Sequence, residues 1–243
     1  MPLHGTEPAG LIHKSVIILK EAIPLAPGMG RFVDKEHHFA LYNVPKGGGT
    51  TLRSWIYFSR TGQLAIKDEG AGYINQESRT YKYLKDIGYE VCDFVPWIDG
   101  PSVCVVRDPV DRFISLYRDK IVREKRCGEP APTLGEFCRN FANLMEAHDF
   151  PHGANPDLNY LGHHFAPQSL ILGKNKDYFE HIFKMEEIDT SLKVYLEGKW
   201  GISLPSLHCR KAEKKSKIIP STEELLLIRE IYKTDYSLDW IHG

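Results

Sequence analysis

A chain of 243 residues with 42% hydrophobic and 26% charged residues has the composition of an ordinary globular protein, which excludes a disordered or fibrous chain. At roughly 100–200 residues per domain, this length predicts a single domain over 1–243, with residues 1–35 as an N-terminal extension or edge strand. The formal net charge of −1 excludes a coat for nucleic acid or for an anionic membrane, so any anion site must be local.

The five cysteines (Cys92, Cys104, Cys127, Cys138, Cys209) show no Cys-x-x-Cys spacing. They indicate neither a disulfide framework nor a zinc ribbon, and read as reduced thiols. The early apolar stretch SVIILKEAIPLAPGM is broken by Lys20, Glu21 and two prolines, and no later run has the length of a membrane span. A cytoplasmic protein is the expectation.

In chain order, SVIIL reads as a possible edge strand and HHFALYNV (37–44) as a buried strand. The glycine-rich turn VPKGGGTT follows, then a helix in which Leu52, Trp55, Ile56 and Ser59 recur at i, i+3, i+4 spacing. Phosphate-binding βα units have this order of strand, glycine turn and helix. A short helix is predicted around SRTYKYLKDI, then strands YEVCDFV and SVCVV. Asp108 and Pro109 open the next helix as N-cap and first residue, with Val110, Phe113, Tyr117 and Ile121 as its apolar stripe. Thr133 with Glu136, and Ser221 with Glu224, have capping-box spacing and start two further helices. SLILG and HIFKM read as strands, with a helix from about Glu187 to Gly198 after them. Alternating strands and helices predict an α/β protein with a central parallel sheet.

Two clusters carry chemistry. In NVPKGGGTTLRSWI, Lys46 precedes three glycines, whereas a Walker A loop has its lysine after them. The backbone N–H groups of Gly47, Gly48, Gly49, Thr50 and Thr51 are candidates for an anion-binding concavity at a helix N-terminus, with Lys46 as a mobile charge and the threonine hydroxyls as further donors. About 60 residues later, VCVVRDPVDRFISLYRDK puts Arg107 at a strand end and Ser115 eight residues on, two helical turns away, on the face of Asp108 and Arg112. A strand-end arginine is a fork-shaped phosphate ligand, and Ser115 can donate to the same group. Taken singly, the first cluster is also readable as a flexible turn and the second as a helix start with a surface ion pair.

Together these motifs resemble the PAPS-dependent sulfotransferases, and especially the branch containing Golgi carbohydrate sulfotransferases. VPKGGGTT is similar to that family's 5′-phosphosulfate loop and VVRDPVDRFISLYRDK to its 3′-phosphate motif. HHFAPQ, IFKMEEI and IYKTDYSLDW resemble further elements of the branch, so the likeness runs from about residue 39 to 240. It implies a P-loop-kinase-like fold, PAPS as co-substrate without a metal, and a sugar or small-molecule hydroxyl as acceptor. Arg210 and Lys211, in the basic stretch HCRKAEKKSK, resemble a loop that closes over the 3′-phosphate; a solvated charged loop is the alternative. KGGGTT departs from the pattern by placing glycine where a small polar residue often stands, and the membrane anchor of Golgi members is missing.

No histidine occurs between His38 and His148, so the histidine base of many similar enzymes has no counterpart before the arginine motif. Asp93 falls on that strand segment. Glu69, 23 residues after Lys46, resembles in spacing the catalytic glutamate of the glucosaminyl sulfotransferases, and His164 falls on the motif histidine of HHFAPQ. These three are the candidate bases, Glu69 first. His37–His38 and the pair His148 and His152 have no acidic or cysteine partner at ligand spacing, so no metal site is expected. The competing readings are a P-loop-like kinase or NTPase, which requires a lysine after the glycines and an acid committed to magnesium, and a nucleotide-binding module without turnover.

Overall fold

The computed structural model describes residues 29–64, 79–92, 100–147, 160–207 and 218–242. Contacts divide the chain into a sheet unit, 27–107 with 171–217, and a helical unit built from 108–170 and 218–243.

In the sheet unit, β1 (Met29–Asp34) and β2 (Phe39–Asn43) form a hairpin. Helices α1 (Gly49–Thr61) and α2 (Arg79–Asp86) follow, then β3 (Tyr89–Cys92) and β4 (Ser102–Val106). The strand order is β3-β1-β2-β4-β5, with β5 at His181–Lys184. The β2–β4 and β4–β5 pairs are parallel, whereas β1 runs antiparallel to both of its neighbours. The short connection from Asp34 to Phe39 is the reason, since a parallel partner needs a crossover of a dozen or more residues. The protein is thus α/β with a mostly parallel sheet. Its strand β1 lies in a stretch that carries no clear signal in the sequence, and SVIIL lies outside the described residues.

Every residue of β2 and of β4 is buried. Both faces of these strands are covered, which is why they read as continuous apolar runs. On one face Phe32, Leu41, Val103 and Val105 pack with Leu52, Trp55 and Ile56 of α1 and with Leu192, Leu196 and Trp200. The i, i+3, i+4 stripe of α1 is therefore the face turned to the sheet. The predicted helix after HIFKM starts later than expected: α8 (Lys193–Trp200) follows two short non-α turns over Met185–Leu192 and ends at Gly201 in the left-handed conformation.

Within the helical unit, α3 (Pro109–Leu116) opens as predicted, with the Asp108 side chain accepting from the Asp111 amide, and continues as π-helical turns over Tyr117–Arg123. Helices α4 (Leu134–Arg139), α5 (Phe141–Ala147), α6 (Tyr160–Phe165) and α7 (Gln168–Leu172) come next, and α9 (Thr222–Ile231), α10 (Lys233–Tyr236) and α11 (Asp239–His242) close the chain. Both predicted capping boxes form, at Thr133 with Glu136 and at Ser221 with Glu224. The core is aromatic: Phe113 meets Phe137, Phe141, Phe165 and Tyr232 at centroid distances of 5.3 to 6.0 Å. Cys104, Cys127 and Cys138 are free thiols, and burial pushes Cys127 up to about 11 and Cys138 up to about 12. Among the described residues no helix is long and apolar enough to cross a membrane.

Asp34, at the end of β1, is 1% exposed. Its carboxylate accepts from Trp200 Nε1 at 2.8 Å, from the His37 amide at 3.1 Å and from Arg60 at 2.6 Å, with His37 Nδ1 at 3.0 Å. Burial pushes this carboxyl up, but the Trp200 and His37 hydrogen bonds and the Arg60 charge together hold it below the ordinary range. A depressed folded value means that the stabilisation is complete above the unfolded value, near pH 4, and is lost as pH falls through the folded one. Asp34→Asn is expected to cost about 1.5–3 kcal/mol at neutral pH, the scale of a charge-assisted hydrogen bond, because Arg60 loses its buried partner and keeps Glu36. Denaturant unfolding at pH 7 and pH 3 checks this: the gap between wild type and variant shrinks at the lower pH.

Candidate functional site

The site is built at the C-terminal end of β2. After Asn43 the chain turns through Val44 and Pro45. Lys46 adopts φ 67 and Gly48 φ 82, both left-handed, before α1 begins. The Gly47 amide donates to the Val44 carbonyl at 2.9 Å, and the Leu52 amide to the Gly48 carbonyl at 3.1 Å. Gly47 thus spends its N–H on the turn, which removes it from the set of amides expected to face an anion. The first turn of α1 has no side-chain cap and no acidic residue. At such a helix start the backbone N–H groups and the helix dipole favour negative charge.

The three glycines are closely surrounded, and Gly48 is in addition left-handed. A Cβ on Gly48 would stand 2.1 Å from Ile188 Cδ1, and one on Gly49 2.7 Å from Asn43 Nδ2. On Gly47 it would meet the Val44 carbonyl oxygen at 3.0 Å and that of Val105 at 3.3 Å. The turn therefore lies in contact with the ends of β2 and β4 and with the residue that follows the β5 connection. The glycine at position 47 fits this close approach. Thr50 is partly exposed, whereas Thr51 is buried.

Arg107 stands immediately after β4, the parallel neighbour of β2. Its Nη1 donates to the Lys46 carbonyl at 3.3 Å, so two motifs 61 residues apart in sequence meet here. Asp34, Glu36 and His37 bring ligand-type atoms within 4.8 Å of one another. This corrects the expectation that His37 has no acidic partner at ligand spacing; the Asp34 oxygens in the group are engaged by Arg60, Trp200 and His37.

Ser115, partly exposed, and His164, also partly exposed, belong to the helical unit. Arg112 was grouped with Ser115 on one helix face, but it is fully buried and works elsewhere: Nη2 donates to the carbonyls of His164 at 2.8 Å and Ala166 at 2.6 Å. Tyr232 donates to the Phe165 carbonyl at 3.0 Å, and the Asp235 carboxylate accepts from the amides of Gln168 and Ser169, both at 2.8 Å. HHFAPQ is thus held by side chains from the arginine motif and from IYKTDYSLDW, a use of Arg112, Tyr232 and Asp235 that sequence reasoning missed. The same contacts correct the strand predicted at SLILG. Asp235 caps the start of α7, so Gln168–Leu172 is helical. Burial pushes the Asp235 carboxyl up, opposed by Ser169, by the Arg112 charge and by the two amides. Glu69, Asp93, Arg210 and Lys211 lie outside the described residues.

A mostly parallel sheet with a glycine turn leading from a strand into a helix, and an arginine from the adjacent parallel strand, defines an α/β protein of the P-loop-kinase-like class. The profile of the sulfotransferase family matches residues 30–238, and the chain belongs to that family. Neither curated proteins nor solved structures give a match.

Gly48→Ala tests the turn. A left-handed backbone and a collision with Ile188 combine here, and each costs about 1–3 kcal/mol. Thermal unfolding should show a clear loss of stability, and Gly62→Ala, also left-handed but with open space around it, a smaller one.

Proposed function

We propose that the protein transfers the sulfuryl group of PAPS to a hydroxyl of a sugar or small-molecule acceptor and releases adenosine 3′,5′-bisphosphate. The observation that carries this reading is the meeting of Arg107 with the Lys46 carbonyl at the glycine turn. It brings the two motifs that resemble the phosphosulfate loop and the 3′-phosphate motif to neighbouring strand ends, in a chain of the sulfotransferase family.

In this reading, the acceptor oxygen forms a bond to sulfur as the bond from sulfur to the 5′-phosphate oxygen breaks. The acceptor proton passes to a base, with Glu69, Asp93 and His164 as the candidates. Such an in-line displacement depends on alignment and on neutralising the charge that grows on the leaving phosphate. Lys46 and the amides that open α1 do this. Arg107 and Ser115, with Arg210 and Lys211, hold the remote 3′-phosphate, whose binding energy fixes the donor's position.

Transfer of labelled sulfuryl from PAPS in the presence of EDTA is the direct test. Turnover is expected to persist, whereas a phosphoryl-transferring enzyme would stop and a module without turnover would show none. Lys46→Ala should lower kcat far more than it weakens PAPS binding, because its charge matters most as the leaving group develops its own. Arg107→Ala should weaken adenosine 3′,5′-bisphosphate binding by about 1.5–3 kcal/mol, the scale of a charge-assisted hydrogen bond. Adenosine 5′-phosphate should bind as before. Calorimetric titration with both nucleotides checks this, and an equal loss for the two would assign Arg107 to shaping the turn alone.

A further inference from the structure

Arg53 stands one helical turn into α1 and is assigned no role by any motif. Helical side chains lean toward the N-terminus, so a residue lies over the position four before it. For Arg53 that position is Gly49, and Nη1 is 3.6 Å from where a Gly49 Cβ would stand. The guanidinium thus lies in van der Waals reach of the first turn of the helix, beside the glycine turn.

The guanidinium is tethered at one point. Nη1 donates to the Tyr89 hydroxyl at 3.2 Å, and Cζ lies 6.0 Å from the centroid of the Tyr89 ring. Tyr89 belongs to β3 and is 2% exposed, so the anchor is rigid. Arg53 Nε is shielded from solvent and has no hydrogen-bond partner among the described residues. Arg53 itself is partly exposed, a shielded donor atom without a partner is costly, and no carboxylate pairs with Arg53 among the described residues. A cation held by a neutral phenol next to an uncapped, acid-free helix start has the electrostatics of a preformed anion ligand.

Resting on the sulfuryl-transfer reading, we infer that Arg53 is a further donor-binding residue, a third cation beside Lys46 and Arg107, which binds the 5′-phosphosulfate end of the nucleotide. Tyr89 is its positioning residue. The role is specific to that end: a ligand with only a 3′-phosphate has nothing for Arg53 to hold.

Adenosine 5′-phosphosulfate and adenosine 3′-phosphate separate the two ends, and calorimetric titration of the full chain with each provides the test. Arg53→Met is expected to raise the Kd of the 5′-phosphosulfate about tenfold or more while the Kd of the 3′-phosphate stays within about twofold. Arg53→Lys keeps the charge but loses the fork, and should fall between. Tyr89→Phe removes the tether without removing the cation and should cost less than Arg53→Met. If Arg53→Met does not fold, Arg53→Lys and Tyr89→Phe carry the comparison. Equal weakening of both ligands, unchanged binding of the 5′-phosphosulfate, or a Tyr89→Phe loss as large as that of Arg53→Met overturns the inference by making Arg53 a strut between α1 and β3. Lys46→Ala, assayed for sulfuryl transfer in parallel, tells the two levels apart. If it leaves turnover intact, the reading of the glycine turn fails; if it lowers turnover and Arg53→Met leaves 5′-phosphosulfate binding unchanged, the role of Arg53 alone fails.

Discussion

The closeness of the backbone at residues 47–49 to its surroundings is the constraint on which the glycine turn and the start of α1 depend. Ile188, Asn43 and the carbonyls of Val44 and Val105 occupy the space that side chains on these residues would need. Glycine suits both the close approach and the left-handed conformation of Gly48, after which α1 starts. From this follow the uncapped helix start, the placement of Lys46 on the turn and the reach of Arg107 to its carbonyl. A looser turn would still be rich in glycine. It would not present a fixed set of donors, and electrostatic stabilisation of a leaving group depends on donors that need no rearrangement.

Two buried carboxylates organise the rest, one in each unit. Asp34 gathers Trp200, His37 and Arg60 at the β1–β2 hairpin, and Asp235 gathers the amides that open α7. Their environments push in opposite directions. Around Asp34 the donors and the Arg60 charge outweigh burial, whereas around Asp235 burial outweighs them. Buried charges of this kind are poor sources of net stability compared with apolar packing. What both supply is definition. Asp34 ties the hairpin to α1 and α8 within the sheet unit, and Asp235 joins Arg112 and Tyr232 in holding the backbone of 164–169.

The aromatic core of the helical unit and the apolar sheet core are built by different rules. Strands β2 and β4 are covered on both faces and need only β-branched and aromatic runs, while Phe113, Phe137, Phe141 and Phe165 meet largely edge-on or tilted and carry no polar atoms to satisfy. Beside that second core Arg112, Tyr232 and Asp235 each find backbone partners. This is why a charged guanidinium can be completely buried there.

Short-range signals were legible in the sequence because their physics is short-range. The strand, glycine turn and helix around Lys46, the Asp108–Pro109 helix start and the two capping boxes each involve residues a few positions apart, and all appear as read. The family was legible too, since its two anion motifs are contiguous runs. Strand β1, the helix at Gln168–Leu172 and the duties of Arg112, Asp34 and Arg53 were not, because they are set by partners far along the chain. Asp235 caps a helix 67 residues before it, and Trp200 reaches Asp34 across 166. The local apolar pattern of SLILG suits a strand or a short helix equally, and a carboxylate from elsewhere tips the balance. By itself the sequence determined which residues carry charge and which turns bend. Tertiary structure alone decided which donors were already spent, as at Gly47 and Arg112, and which, as at Arg53 Nε, have no partner among the described residues, because a hydrogen bond is a property of two groups in space.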